Sequence, residues 1–360
     1  MTAILSKDSR CNRLPLEKQQ LVTALKEAVQ KQYGEEDDFL DDATCRRYLA
    51  GYKWSLEQAQ TYLMKTLRWR ADVKPETWTC DFCLETPGQH SMRQIGFDRA
   101  GRTVLYTSFV QCASNSFSAE ESVRHMVFLL ENGVRSMQHR FHTKQQNAGV
   151  QDVDEPAAAQ DDTLSNHSAA SSSSSQTGRH HHVPEQWVVV LDCTGMTLAA
   201  CNPRIASAVT AIIGNHYPER LGTVVTLNAG YLMRYAWAAI KVVLPATMAS
   251  KLQFINSEAD YRKAPVCDVF DEELREWVRE EERLNRVHPL PDSQRNFWKR
   301  PLPPAHNADN AAPVHDPRGT PSYVRDYVEA LDVEQSGKDR KAHQPHPNII
   351  QDLAGRITTV

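Results

Sequence analysis

No stretch of this chain is both long and apolar enough to suggest a membrane span. The bulkiest apolar run, Tyr231 to Pro245, is interrupted by Arg234 and Lys241, whereas a spanning helix needs about 20 apolar residues with few charges. An excess of charge of either sign is also lacking. Lys and Arg number 41 against 45 Asp and Glu, a formal net charge of −4, so the strongly basic surface that nucleic acid requires is excluded. The 8 cysteines are scattered. Met1 to Leu16 is polar and has no apolar h-region, so free thiols in a cytoplasmic, reducing setting are expected. Thr2 and the terminal Ile357-Thr358-Thr359-Val360 carry no lipidation signal. There is no G-x-S-x-G elbow, P-loop or H-E-x-x-H. Cys80-Asp81-Phe82-Cys83 lacks the nearby second ligand pair of a structural zinc site, and neither a catalytic residue nor a metal ligand is assigned.

The chain does have amphipathic helices with readable ends. Pro15 to Tyr33 carries Leu21, Val22, Leu25 and Val29 on one stripe, and Gly34 stops it. Asp41-Asp42 opens a second helix through Leu49, with acids placed well for the helix dipole. Ser55-Leu56-Glu57-Gln58 is a capping box, followed by apolar spacing to about Val73. A turn at Phe97 to Gly101 feeds the β-rich Arg102 to Tyr106. Ser118 with Glu121 caps a helix expected to end near His142.

The mean hydropathy of −0.54 is low for a chain that is 41% hydrophobic, so polar segments must dilute an ordinary core. Two regions account for this. Lys144 to Glu185 is poor in aromatics, with Ser171 to Ser175 and His180-His181-His182, and is expected to be a disordered surface insert. From His288 onward prolines recur, and a mostly disordered tail is expected. Tyr323 to Leu331 is a candidate partner-binding helix within that tail.

Between these regions, Trp187 to Asp192 is a continuous apolar run of strand length, the pattern of a strand covered on both faces. Pro203 to Asn215 is a helix, which Tyr217-Pro218 ends because a residue before proline leaves the α region. Gly222 turns the chain into the β-branched Thr223 to Ala229, then come Tyr231 to Leu244 and Ser250-Lys251-Leu252-Gln253-Phe254-Ile255-Asn256. Short helices are expected over Ser257 to Lys263 and Asp271 to Val287.

Tyr217-Pro218-Glu219-Arg220-Leu221-Gly222, then strand, apolar helix and Ser250-Lys251-Leu252, resembles the centre of a CRAL-TRIO lipid-binding domain. The similarity is to the secretory phosphatidylinositol-transfer type. Asp41-Asp42 through Arg70 resembles the family's small helical N-terminal lobe, and Leu191-Asp192-x-x-Gly195 is a further shared feature. The resemblance implies an α/β fold in which a helical lobe precedes a mixed or parallel sheet, flanked by helices and enclosing an apolar lipid cavity. It implies that Glu219 accepts hydrogen bonds from headgroup sugar hydroxyls and that Lys251 pairs with the phosphodiester. Arg220, Lys53 and Tyr52 are the further headgroup candidates. Tyr52 stands where the family has a basic residue, leaving Lys53 and Arg47 as substitutes. Trp187 and Val189 replace the small hydroxyls that grip choline in dual-specificity members, which argues against phosphatidylcholine. The family's Pro…Gly-Gly segment is replaced by Lys263-Ala264-Pro265-Val266-Cys267-Asp268.

Tyr231, Leu232, Tyr235, Trp237, Ile240, Val243 and Leu244 are the implied gate, the helix that opens at a membrane surface. The structural alternatives are plain: a core helix for this segment, a Glu219–Arg220 helix-end pair, and a solvated strand edge for Lys251. The expected organisation is a flexible 1–14, a helical lobe 15–75, a lipid-binding domain 76–287 interrupted by 144–185, and a tail 288–360. The expected protein is a non-enzymatic, monomeric, cytoplasmic carrier of a phospholipid such as phosphatidylinositol. It meets membranes transiently, needs no cofactor beyond the bound lipid, binds no nucleic acid, and has a tail able to engage a protein partner. Two alternatives stand beside this: an interaction module of the same fold that exchanges no lipid, and a carrier of a small neutral hydrophobic ligand. Asp192, at a strand end, is the one carboxylate that a different doubly wound protein would use for catalysis.

Overall fold

A computed structural model describes residues 14–34, 37–78, 90–112, 119–150, 183–197, 203–241, 250–263, 270–295 and 297. Three helices form the N-terminal lobe: α1 (Leu16–Tyr33), α2 (Asp42–Gly51) and α3 (Leu56–Val73). Their ends are set by local chemistry. Asp41 accepts from the Thr44 amide and Ser55 from the Gln58 amide, each satisfying a donor that the first helical turn leaves unpaired. Gly34 closes α1 at φ 82°, a conformation that costs glycine little. Leu25, Val29, Leu49, Leu63 and Leu67 meet in the lobe's own apolar core.

The second unit is a five-stranded sheet in the order β1 (Arg93–Phe97), β2 (Thr103–Ser108), β3 (Trp187–Asp192), β4 (Leu221–Leu227) and β5 (Leu252–Ile255). β1 and β2 are antiparallel, whereas β2 to β5 run parallel. Helices α4 (Phe109–Cys112), α5 (Ala119–Val150), α6 (Pro203–His216), α7 (Tyr231–Lys241), α8 (Glu258–Lys263), α9 (Glu272–Asn285) and α10 (Asp292–Arg295) connect and cover it. Among the described residues no helix is long and apolar enough to cross a membrane.

Strand periodicity divides the sheet into two unlike faces. Val104, Tyr106, Val188, Val190, Val225, Leu227 and Ile255 point to one face, where Tyr261 of α8, Phe270 and Leu274, Trp277 and Val278 of α9 close over them. On the other face Leu105 and Trp187 are sealed by Val127, Leu130 and Met137 of α5 and by Ala208 and Ile212 of α6. That cover stops short. Val189 and Leu191 on β3, Val224 on β4, and Leu252 and Phe254 on β5 share this second face in register and are only partly buried.

Several boundaries differ from the sequence expectation. The helix that begins the insert runs to Val150, past His142, because Lys, Gln and Ala sustain helix well and polarity alone does not end one. β4 begins at Leu221 rather than Thr223, since the Trp187 amide already donates to the Arg220 carbonyl and Trp187 pairs with Leu221. Glu185, expected inside a disordered insert, is ion-paired to Arg46 and Arg47. Packing contacts also continue beyond Val287. Gln294 is buried and donates to the Asn285 side chain at 2.9 Å, and Phe297 lies under the Arg93 guanidinium at 4.2 Å. The Cys80/Cys83 pair, the three histidines, Val243, Leu244 and Tyr323 to Leu331 lie outside the described residues.

Asp192 is structural. Its two oxygens receive Asn285, Asn228, the Thr194 amide and hydroxyl, and the Tyr106 hydroxyl, at 2.7 to 3.3 Å, so it is sunk in donors instead of standing ready as a base. α9 is the element that completes this network and caps the first face, and Trp277 packs edge-on to Tyr106 at 5.2 Å. Trp277→Ala is expected to lower unfolding stability by about 3–5 kcal/mol, measured by urea denaturation followed by circular dichroism; a loss within measurement error would show that α9 is only loosely attached.

Candidate functional site

The four residues Tyr217-Pro218-Glu219-Arg220 leave α6 in four different directions. Tyr217 is buried, and its hydroxyl donates to Glu131 of α5 at 2.5 Å. The same carboxylate receives Arg70 of α3 at 2.7 Å. Burial by itself pushes the Glu131 carboxyl up, but Arg70 and the Tyr217 hydroxyl more than offset it and hold it below its ordinary 4.5. Next to this, His216 stacks on Trp69 at 4.1 Å and its ring nitrogen meets the Thr66 hydroxyl at 3.0 Å. The helical lobe is thus fastened to the start of the motif by both charge and ring contact.

Pro218 lies against the end of α2. A Cβ built on Gly51 would come to 3.0 Å from the Pro218 ring, so a larger residue at position 51 needs that ring to give by a few tenths of an ångström. Glu219 follows at φ 56°, a left-handed conformation that costs a side-chain-bearing residue on the order of 1 kcal/mol. The turn holds it there. The Arg220 amide donates to the Tyr217 carbonyl at 3.2 Å, and the Gln186 side chain donates to the Glu219 carbonyl at 3.3 Å.

The Glu219 carboxylate meets Lys251 Nζ at 3.4 Å. Two of the predicted headgroup residues, 32 positions apart, are thereby brought together at the entrance to β4 and β5. The alternative helix-end pairing of Glu219 with Arg220 does not form. The Arg220 guanidinium instead donates to the Glu185 carbonyl at 3.0 Å. Burial, with Arg47 nearby, pushes it down to about 10, so it stays protonated at neutral pH. Glu185 neutralises this neighbourhood by pairing with Arg46 and, at 2.9 Å, with Arg47. A cleft of about 930 Å³ opens here between the lobe, α5 and the turn after α6, lined by Arg47, Arg70, Glu131, Glu185, Tyr217 and Arg220 among others.

Tyr52 is also directed away from Glu219. Its ring stacks on Tyr62 at 4.3 Å inside the lobe, and burial raises its phenol. Lys53 is exposed, two residues beyond the Gly51 contact, at φ 53°. Of the five headgroup candidates, only Glu219 and Lys251 meet. Sequence reasoning missed Glu185 and Glu131, whose single signal was an acidic residue among polar or apolar neighbours.

The helix proposed as a gate, α7, lies beside the half-covered face. Trp237 packs edge-on to Phe254 at 6.2 Å, and Leu232 and Met233 are half-buried. Tyr231 and Tyr235, one turn apart, are 93% and 78% exposed, with Arg234 exposed between them. Such exposure of large apolar groups is uncommon without a partner surface. Ile240 falls within α7. A second concavity, of about 390 Å³, is lined by Cys193, Thr194, Asn228, Leu232, Met233 and Arg286 where α7 begins.

Residues 172–271 match the family described as the CRAL/TRIO domain. No curated protein matches the sequence. Among solved structures 33 chains match, including a crystal structure of Sfh5, 13% identical over 70% of this chain and 84% of that one, with a TM-score of 0.46.

The Glu131 pKa sets a pH dependence. A carboxyl held below its unfolded value contributes stability that is complete above about 4.5 and is lost as pH falls through the lower folded value. Glu131→Gln should therefore lower the melting temperature at neutral pH and flatten its decline on acidification below 4.5. A parallel acid decline in the variant, followed by scanning calorimetry, would assign the dependence to other carboxylates.

Proposed function

We propose that this chain, whose residues 172–271 match the CRAL/TRIO domain, is a non-enzymatic carrier of a phospholipid with an inositol-like headgroup, phosphatidylinositol first. The observation that carries this reading is the meeting of Glu219 and Lys251 at 3.4 Å where the half-covered apolar sheet face begins. In the absence of lipid each group neutralises the other. A bound headgroup separates them: the carboxylate accepts from sugar hydroxyls, and the ammonium pairs with the phosphodiester. The acyl chains then lie on Val189, Leu191, Val224, Leu252 and Phe254, beneath Trp237 of α7, in an apolar cavity with few polar groups.

The exposed Tyr231 and Tyr235 suit the interfacial zone of a membrane, where amphipathic rings sit at headgroup level. Arg234 between them meets anionic headgroups and contributes on the order of 1 kcal/mol near such a surface. α7 is then both the lid of the cavity and the part that touches the bilayer. Arg47, Arg220 and Glu185, one shell behind Glu219, keep the turn in place without contacting the lipid.

Native mass spectrometry of the purified chain, followed by lipid extraction, tests the reading directly. Phosphatidylinositol at one per chain is the expected result, and Glu219→Ala or Lys251→Ala should each weaken its retention about tenfold while leaving the melting temperature within 1–2 degrees or so, as for a half-exposed pair. A stoichiometric neutral lipid would keep the fold and discard the headgroup assignment. An empty protein that refuses lipid from vesicles would point to an interaction module instead. Trp237→Asp should slow vesicle-to-vesicle transfer with secondary structure intact; an unchanged transfer rate would make α7 a fixed wall.

A further inference from the structure

Beyond Trp187, the part of this sheet face that α5 and α6 leave open contains a polar side chain that the headgroup pair leaves unexplained. Thr226, on β4, is fully buried, and its hydroxyl has no hydrogen-bond partner among the described residues. Its register neighbours on that face are Leu191 and Phe254, which offer neither donor nor acceptor. Water does not serve it either, because the oxygen is closed to solvent. Valine has the same shape and would carry no such penalty, since an unmade buried hydrogen bond costs more than its apolar replacement. The adjoining residues Val189, Leu191, Val224 and Leu252 are all apolar.

We infer that the Thr226 hydroxyl is a specificity determinant that donates to an ester carbonyl of a diacyl lipid lying on this face. The inference rests on the lipid-carrier reading above and deepens it. Position favours an ester carbonyl. The Val224 amide donates to the Lys251 carbonyl at 2.9 Å, which sets the level of the charged pair on the strand. Thr226 is two residues further, about 7 Å along an extended chain. A glycerol diester whose phosphate engages Lys251 brings its carbonyls into that interval, before its chains become plain hydrocarbon. A sterol presents one hydroxyl, which either reaches Thr226 and leaves Glu219 and Lys251 unused, or the reverse. The hydroxyl is closed to solvent, so it is paired only once a lipid has displaced what covers it.

The test compares wild type, Thr226→Val and Thr226→Ser as full chains. Vesicles of dialkyl-ether phosphatidylcholine are doped, in separate arms, with ester-linked phosphatidylinositol, with its dialkyl-ether analogue, or with a sterol. Wild type and Thr226→Ser are expected to retain the ester-linked lipid about fivefold better than the ether. Thr226→Val should retain both equally, through loss of ester-linked lipid alone, and its lipid-free form should melt no lower than wild type. Equal retention of ester and ether by wild type, or a preference that survives in Thr226→Val, would overturn the inference alone. Sterol uptake that depends on Thr226 would overturn the ester assignment. Uptake of none of the three would overturn the carrier reading as well.

Discussion

The Glu131 carboxylate, buried on α5 and shared between Arg70 of the helical lobe and the hydroxyl of Tyr217, is the contact on which the rest of the arrangement depends. Three segments remote in sequence converge on one charge. A buried carboxylate is costly unless it is paired and fully hydrogen-bonded, so these three elements have a single low-energy way to meet. Once they do, α6 ends at a fixed place, Pro218 falls against Gly51, and Glu219 is turned toward Lys251. The motif is therefore less a set of ligand contacts than a junction. One of its four residues meets Lys251, and the others hold lobe, turn and insert together.

The sheet supplies the second half of the design through its asymmetry. One face is closed by α8 and α9 down to Trp277 and Phe270 and is sealed polar-side by the Asp192 network. The other is sealed only at the Trp187 end by α5 and α6. Toward β5 its apolar side chains remain partly accessible, with α7 lying beside them by way of Trp237. An open apolar face is stable only when something covers it. Beside this face lies a helix whose outer side presents Tyr231, Arg234 and Tyr235, residues suited to a headgroup layer.

Much of this was legible from the order of residues. The ends of α1, α2 and α3 follow from Gly34, Asp41 and Ser55, because capping is chemistry between residues at most four apart. The strand β3 was readable from its unbroken apolar run, and Glu219 and Lys251 were singled out by the family resemblance as headgroup candidates, though not as partners of each other. The direction of Arg220 was not. Its neighbour in sequence is Glu219, yet it bonds Glu185, and the reason is an arginine pair on α2 that draws Glu185 into range. Tyr52 stands where the family has a basic residue, but its ring found Tyr62 on α3, and stacking inside the lobe prevailed over reach toward the turn. The polar run after His142 looked like the end of a helix and was not, because composition reports solvent preference more strongly than backbone state.

What the sequence determined by itself is therefore local: helix ends, strand periods, the proline that closes α6, and the presence of a carboxylate and an ammonium at family spacing. Each depends on forces that act over a few residues. Tertiary structure decided which charges meet, which face of the sheet stays open, and that Thr226, one alternating residue among several, lies as a buried unpaired hydroxyl in an apolar floor. Those outcomes depend on burial, and burial is a property of the packed molecule that no short segment possesses.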